Sequence, residues 1–253
     1  MPHLLIDRIR ANLFVTRKNY SLLAYAIEAA DVLGGLLFVV GSACFLPPYS
    51  HDMQTFLAGC IIYVVGSALY FVVCIFTLVE AYVEKGVRSW EFYENALYLL
   101  GSWIFFIGTV FYWPEDAHHH AVHFIQQCSL AQYFNLFSPE FEGTLLFIAG
   151  SVLFAMAAFA NALNQRCSDD LASRLLTAVT TLYMIGSILF IVGSFAFLPD
   201  LGCGVMIVTL GAWTFIIGSM FYLLAAVLSF YRTHHMLSGR SQEAAPLLPA
   251  SDK

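Results

Sequence analysis

The chain has 253 residues, of which 60% are hydrophobic and only 11% charged. That is too few ionisable groups to cover a water-soluble protein of this size, so a soluble globular domain is excluded and a lipid bilayer is the implied solvent. The formal net charge of −6 says little about nucleic acid, but the sequence holds no basic cluster to bind it, so no nucleic-acid partner is expected.

In chain order, residues 1–19 form a basic N-terminal segment with Arg8, Arg10, Arg17 and Lys18. The apolar stretch behind it is too long for the core of a signal peptide and carries no evident cleavage site, so it reads as a retained anchor. About 18 or more apolar residues, at roughly 1.5 Å each, cross ~30 Å of hydrocarbon. Six runs meet that length, with cores at 32–46 (extended back through Leu22), 56–79, 96–113, 143–163, 175–198 and 205–231. They predict an all-α, polytopic membrane protein with six transmembrane helices. The first, third and fifth runs stop at an aromatic, a large apolar residue and a proline: Phe45-Leu46-Pro47, Tyr112-Trp113-Pro114 and Phe197-Leu198-Pro199. Proline lacks the N–H that would continue a helix, so these are turns. The helices therefore group into hairpins over 20–84, 90–165 and 171–232, the second interrupted by a His-rich insertion at about 114–142. The tail, 233–253, is rich in Ser, Gly, Gln, Ala and Pro and reads as disordered.

Each predicted helix carries a glycine followed seven residues later by Gly-Ser or Gly-Thr. The pairs are Gly34 and Gly41, Gly59 and Gly66, Gly101 and Gly108, Gly143 and Gly150, Gly186 and Gly193, and Gly211 and Gly218. An aromatic stands three residues before and four after each second glycine, as in Phe38 and Phe45 or Tyr63 and Tyr70. Glycine, aromatic, glycine and aromatic then alternate at 4-3-4 spacing down one helix face. In lipid, helix association relies on close backbone approach at small residues, so these twelve glycines are helix-packing candidates. The three copies predict a quasi-threefold bundle, related by an axis along the membrane normal and filled by aromatic side chains.

The signature G-[LF]-x-F-x-x-GS-x-x-F-L-P, best seen over 33–47 (LGGLLFVVGSACFLP) and next over 59–70, resembles the YrhK-like membrane domain family, a two-helix module. The resemblance implies three tandem copies over 20–232. The second hairpin departs from the pattern by its insertion and by Thr109 in place of serine. The family has no established activity, so the resemblance implies an architecture and no reaction.

If six helices alternate across the bilayer, all eleven Lys and Arg fall on the side of both termini. That bias predicts cytosolic termini. The opposite loops hold histidines and carboxylates, among them His118, His119, His120 and His123 beside Glu115 and Asp116, a candidate metal-binding or pH-sensing cluster. A layer of acids lies near the cytosolic ends. Glu28, Asp31, Glu80 and Glu94 are the candidate cation or proton site, with Asn161 and Asn164 at the matching level of the fourth helix. The competing reading is structural pairing, Glu28 or Asp31 with Arg232 or Arg174. In the tail, Glu243, Leu247 and Leu248 fit the acidic dileucine pattern that resembles a clathrin-adaptor sorting signal, pointing to an endosomal, lysosomal or vacuolar membrane, with the plasma membrane as the alternative.

The six cysteines show no CxxC or metal-type spacing, and no P-loop, HExxH or paired nucleophile and base is present. The chain is therefore expected not to be an enzyme and to need no cofactor. Two classes compete: a membrane scaffold that binds a membrane-protein partner or further copies of itself, and a proton- or cation-conducting channel or transporter. They differ in whether the centre of the bundle is packed shut or wet.

Overall fold

The computed structural model describes residues 17–50, 52–111, 139–165, 170–198 and 205–243. Among the described residues there are seven helices and no strand: α1 (Arg17–Cys44), α2 (Pro47–Ser50), α3 (Met53–Lys85), α4 (Trp90–Phe111), α5 (Pro139–Asn164), α6 (Leu171–Ala196) and α7 (Val205–Glu243). All but the single turn α2 are long and apolar enough to cross a membrane. The shortest of the six, α4 with 22 residues, spans about 33 Å at 1.5 Å per residue.

Local chemistry sets the helix ends. The Asp52 carboxylate accepts from the Thr55 N–H at 3.0 Å and from its hydroxyl at 2.6 Å, capping α3. Those two bonds hold the Asp52 carboxyl below its ordinary range, the Thr55 hydroxyl contributing most. The other end of α3 turns at Gly86, whose φ of 83° suits a residue without a Cβ and whose N–H closes onto the Tyr82 carbonyl at 3.0 Å. Ser89 caps α4 by accepting from the Phe92 N–H at 3.1 Å, and Asp170 caps α6 by accepting from the Ser173 N–H at 3.2 Å. One expectation is corrected at the C-terminal side. The tail read as disordered from 233 is helical through Glu243, because α7 continues along α1: the Thr233 hydroxyl donates to Glu28 at 2.7 Å and the Tyr25 hydroxyl meets His234 Nδ1 at 2.9 Å.

The six long helices pack on their neighbours in chain order, and α7 packs back onto α1, so the bundle is a closed ring. Within each hairpin, glycine faces glycine. A Cβ added to Gly101 would lie 3.1 Å from the Gly150 carbonyl oxygen, and one added to Gly150 would lie 3.0 Å from that of Gly101. Gly108 faces Gly143 and Gly186 faces Gly218 in the same way, at 3.2 and 3.1 Å. Gly34 opposes Gly66 and Gly41 opposes Gly59, which also fixes α1 and α3 as antiparallel. Gly193 and Gly211 complete the set, with Gly193 pressed against Thr214 and the Phe215 ring.

On α1, residues that follow the stripe glycines also reach the neighbouring hairpin. A Cβ on Gly35 would meet the Leu223 Cα at 2.9 Å, and the Ser42 hydroxyl lies 3.1 Å from that of Ser219, so small residues one step further round α1 join it to α7. The outward faces carry large apolar residues such as Leu36, Val110, Met156, Ile188 and Leu224, which suit contact with lipid tails.

Candidate functional site

The axis of the ring is the place where all six long helices contribute side chains. Nine pattern aromatics form one buried cluster, and Phe45 and Phe197 pack against it. At its centre Phe38 of α1, Phe105 of α4 and Phe190 of α6 touch one another, with ring centroids 5.8, 5.7 and 6.4 Å apart. All three pairs are edge-to-face, at 85°, 84° and 70°, the arrangement that aromatic quadrupoles favour.

Two cavities flank the triad. One is lined by apolar rings, among them Phe45, Phe147, Phe197 and Phe215, together with Cys60, Tyr63 and Thr109. The other is lined by the triad itself with Ser67, Tyr70, Ser102, Phe154 and Tyr222. Polar side chains increase toward the end of the bundle where α1 begins and α7 finishes. Tyr98 and Tyr183 join the ring cluster there, Tyr183 lying 5.2 Å from Tyr222 and 6.4 Å from Tyr98 between centroids.

The candidate acids divide among three interfaces. Asp31 is buried, and its Oδ2 accepts from the Tyr183 hydroxyl at 2.6 Å, linking α1 to α6 across the centre. Glu28 lies between α1 and α7, accepting from Ser229 at 3.1 Å and from Thr233 at 2.7 Å, with Arg232 and Glu80 as its charged neighbours. Glu94 is buried on α4 and accepts from the Asn161 amide of α5. Asn161 Oδ1 in turn accepts from Gln165 at 2.5 Å and from the Thr180 hydroxyl of α6 at 2.9 Å. Of the anticipated arginine pairings, Asp31 is answered by a tyrosine, whereas Arg232 stands as an attracting charge beside Glu28 while its Nε donates to the Ala172 carbonyl at 3.2 Å. Neither of the two cavities above is lined by a carboxylate.

Asn161 sits where the register placed it, whereas Asn164 is exposed. The sequence reading missed Tyr183 and Tyr98. The signal was available: Asp31, Tyr98 and Tyr183 each stand three residues before the first glycine of their helix, so one register position carries an acid in α1 and phenols in α4 and α6. His118, His119, His120, His123, Leu247 and Leu248 lie outside the described residues, and Glu243 is the last residue of α7. Among the described residues no group of His, Cys, Asp and Glu is arranged to hold a metal ion.

Residues 21–81 and 173–234, the first and last hairpins, each match the family model described as YrhK-like protein. No curated protein and no solved structure matches the chain.

Proposed function

This protein belongs to the YrhK-like family, through two copies of its domain, and from that premise we propose that it is a multi-pass membrane scaffold. Its helices serve to present surfaces to a membrane-protein partner or to further copies of the chain, and it carries out no reaction. The observation that carries this reading is the triad of Phe38, Phe105 and Phe190, one ring from each hairpin, meeting at 5.7 to 6.4 Å on the axis. A centre filled by hydrocarbon offers no hydrated route for an ion. The same triad supports a third, more divergent copy of the module in the middle hairpin and a quasi-threefold arrangement of the three. Positive residues placed on one side argue for cytosolic termini. The dileucine pattern at Glu243, Leu247 and Leu248 argues for an endosomal, lysosomal or vacuolar membrane reached through a clathrin adaptor.

The second reading is a proton- or cation-conducting protein. It draws on Asp31, a carboxyl that is 8% exposed inside a span and bonded to a phenol, since ionisable groups at that depth generally mark a pathway. Reconstitution into liposomes separates the two. The scaffold reading expects proton and monovalent-cation flux no faster than in protein-free vesicles. A flux that Asp31→Asn abolishes would overturn it in favour of conduction.

A further inference from the structure

We propose that Asp31 is a proton-binding site: its carboxyl is held as the neutral acid and closes a ring of three hydrogen bonds with Tyr183 and Tyr70, joining α1, α6 and α3. This goes beyond the scaffold role, because it gives the buried acid a resident proton in place of a cation or a conducted proton. Asp31 is 8% exposed, and its Oδ2 accepts from the Tyr183 hydroxyl at 2.6 Å. The buried Tyr70 hydroxyl is hydrogen-bonded to both of these side chains. Three such contacts need three hydrogens, and the two phenols supply only two, so an ionised Asp31 would leave one pair of oxygens facing each other with lone pairs alone. A protonated carboxyl supplies the third. Asp31 then donates to Tyr70, Tyr70 to Tyr183, and Tyr183 to Asp31.

The surroundings agree with a neutral acid. The titratable groups that face Asp31 are Glu28 on its own helix, Tyr70 and Cys74 on α3, Tyr98 on α4, Tyr183 on α6 and Tyr222 on α7. None of these carries a positive charge, and a carboxylate buried without a counter-charge is costly. Comparison with Tyr222 explains why Tyr70 is free to serve Asp31. The Tyr222 ring covers Gly186, and its hydroxyl pairs with the following residue, Ser187, at 2.7 Å. The Tyr70 ring covers Gly34 in the same manner, but the following residue is Gly35, where a Cβ would meet the Leu223 Cα at 2.9 Å. Close packing of α1 on α7 therefore bars a serine there. The Tyr70 hydroxyl is left to Asp31, which stands three residues, about one turn, before Gly34 on α1.

Infrared spectroscopy of the full-length protein at neutral pH, in a detergent free of ester groups, tests this through the carbonyl stretch of a protonated carboxylic acid, which carboxylates lack. The wild type is expected to show that band and Asp31→Asn to lose it. Glu94→Gln, at the other buried carboxyl, should keep the part that Asp31→Asn removes. Tyr70→Phe takes away the acceptor of the acid proton and should shift the band. A wild-type spectrum without the band overturns the proposal, as does a band unaltered by Asp31→Asn or by Tyr70→Phe. Should a variant not fold, the wild-type protein carrying 13C in its aspartate carboxyls decides the matter. A band moved to lower frequency by that label supports the site, and an unmoved band assigns the proton to a glutamate and refutes it.

Discussion

Gly101 and Gly150 require each other: a Cβ on either would lie 3.0 to 3.1 Å from the other's carbonyl oxygen. Contacts that short are with backbone, which cannot rotate away as a flexible side chain can. The hairpin is therefore built around a line where two helices touch main chain to main chain, and dispersion across that line takes the place that the hydrophobic effect holds in water.

Alanine at Gly101 or Gly150 should cost about 1–3 kcal/mol through overpacking, and leucine should prevent accumulation of the folded monomer. Val110→Leu, at an exposed position on the outer face of α4, should stay within about 0.5 kcal/mol. Detergent-based thermal unfolding and size-exclusion yield measure both. Equal losses at Val110 and the glycines would contradict the packing argument. Gly86 is no neutral comparison, since its φ of 83° strains any other residue although nothing lies within 4 Å.

Tyr183→Phe removes the donor to Asp31 and leaves a buried carboxyl without that bond, so a loss of about 1–3 kcal/mol is expected. Asp31→Asn combined with Tyr183→Phe should lose less than the two single changes added together, as expected for a contacting pair. Additive losses in unfolding experiments would place the two side chains in separate environments.

The Asp52 cap predicts a local pH effect. Its carboxyl titrates lower in the folded chain than in the unfolded one, because the Thr55 hydroxyl and N–H bond the charged form. The stabilisation is therefore present above the ordinary aspartate pKa of about 3.9 and is lost as pH falls through the lower, folded value. Hydrogen exchange at the Thr55 amide, corrected for intrinsic rates, should accelerate below that range. The same amide should exchange faster at neutral pH in Asp52→Ala, and unchanged protection in that variant would rule out the cap.

Topology and address are tested together. Tags at residue 1 and residue 253 should both be digested by protease added to the cytosolic side, and protection of either would reverse the orientation. Changing Leu247 and Leu248 to alanine should shift the protein to the cell surface. Unaltered distribution would remove the sorting signal and leave the scaffold reading intact.

Much of this architecture was readable from local sequence because the bilayer makes local demands. A spanning segment has to satisfy its own backbone hydrogen bonds, so six apolar runs had to be helices. Pro47, the capping Asp52 and Gly86 mark the helix ends of the first hairpin within a few residues. The 4-3-4 stripe likewise put glycines and aromatics on one face, and all nine residues of the buried ring cluster come from it. What the stripe could not state is the partner of each residue. Glycines meet within hairpins, whereas the triad of Phe38, Phe105 and Phe190 forms between them, a division that depends on closure of the ring from α7 to α1. Asp31 and Tyr183 stand 152 positions apart and on different hairpins, and no helical period relates them. Only packing decides that the Asp31 carboxyl inside a span is answered by a phenol, while Arg232 lies beside Glu28 and donates its Nε–H to a carbonyl of α6.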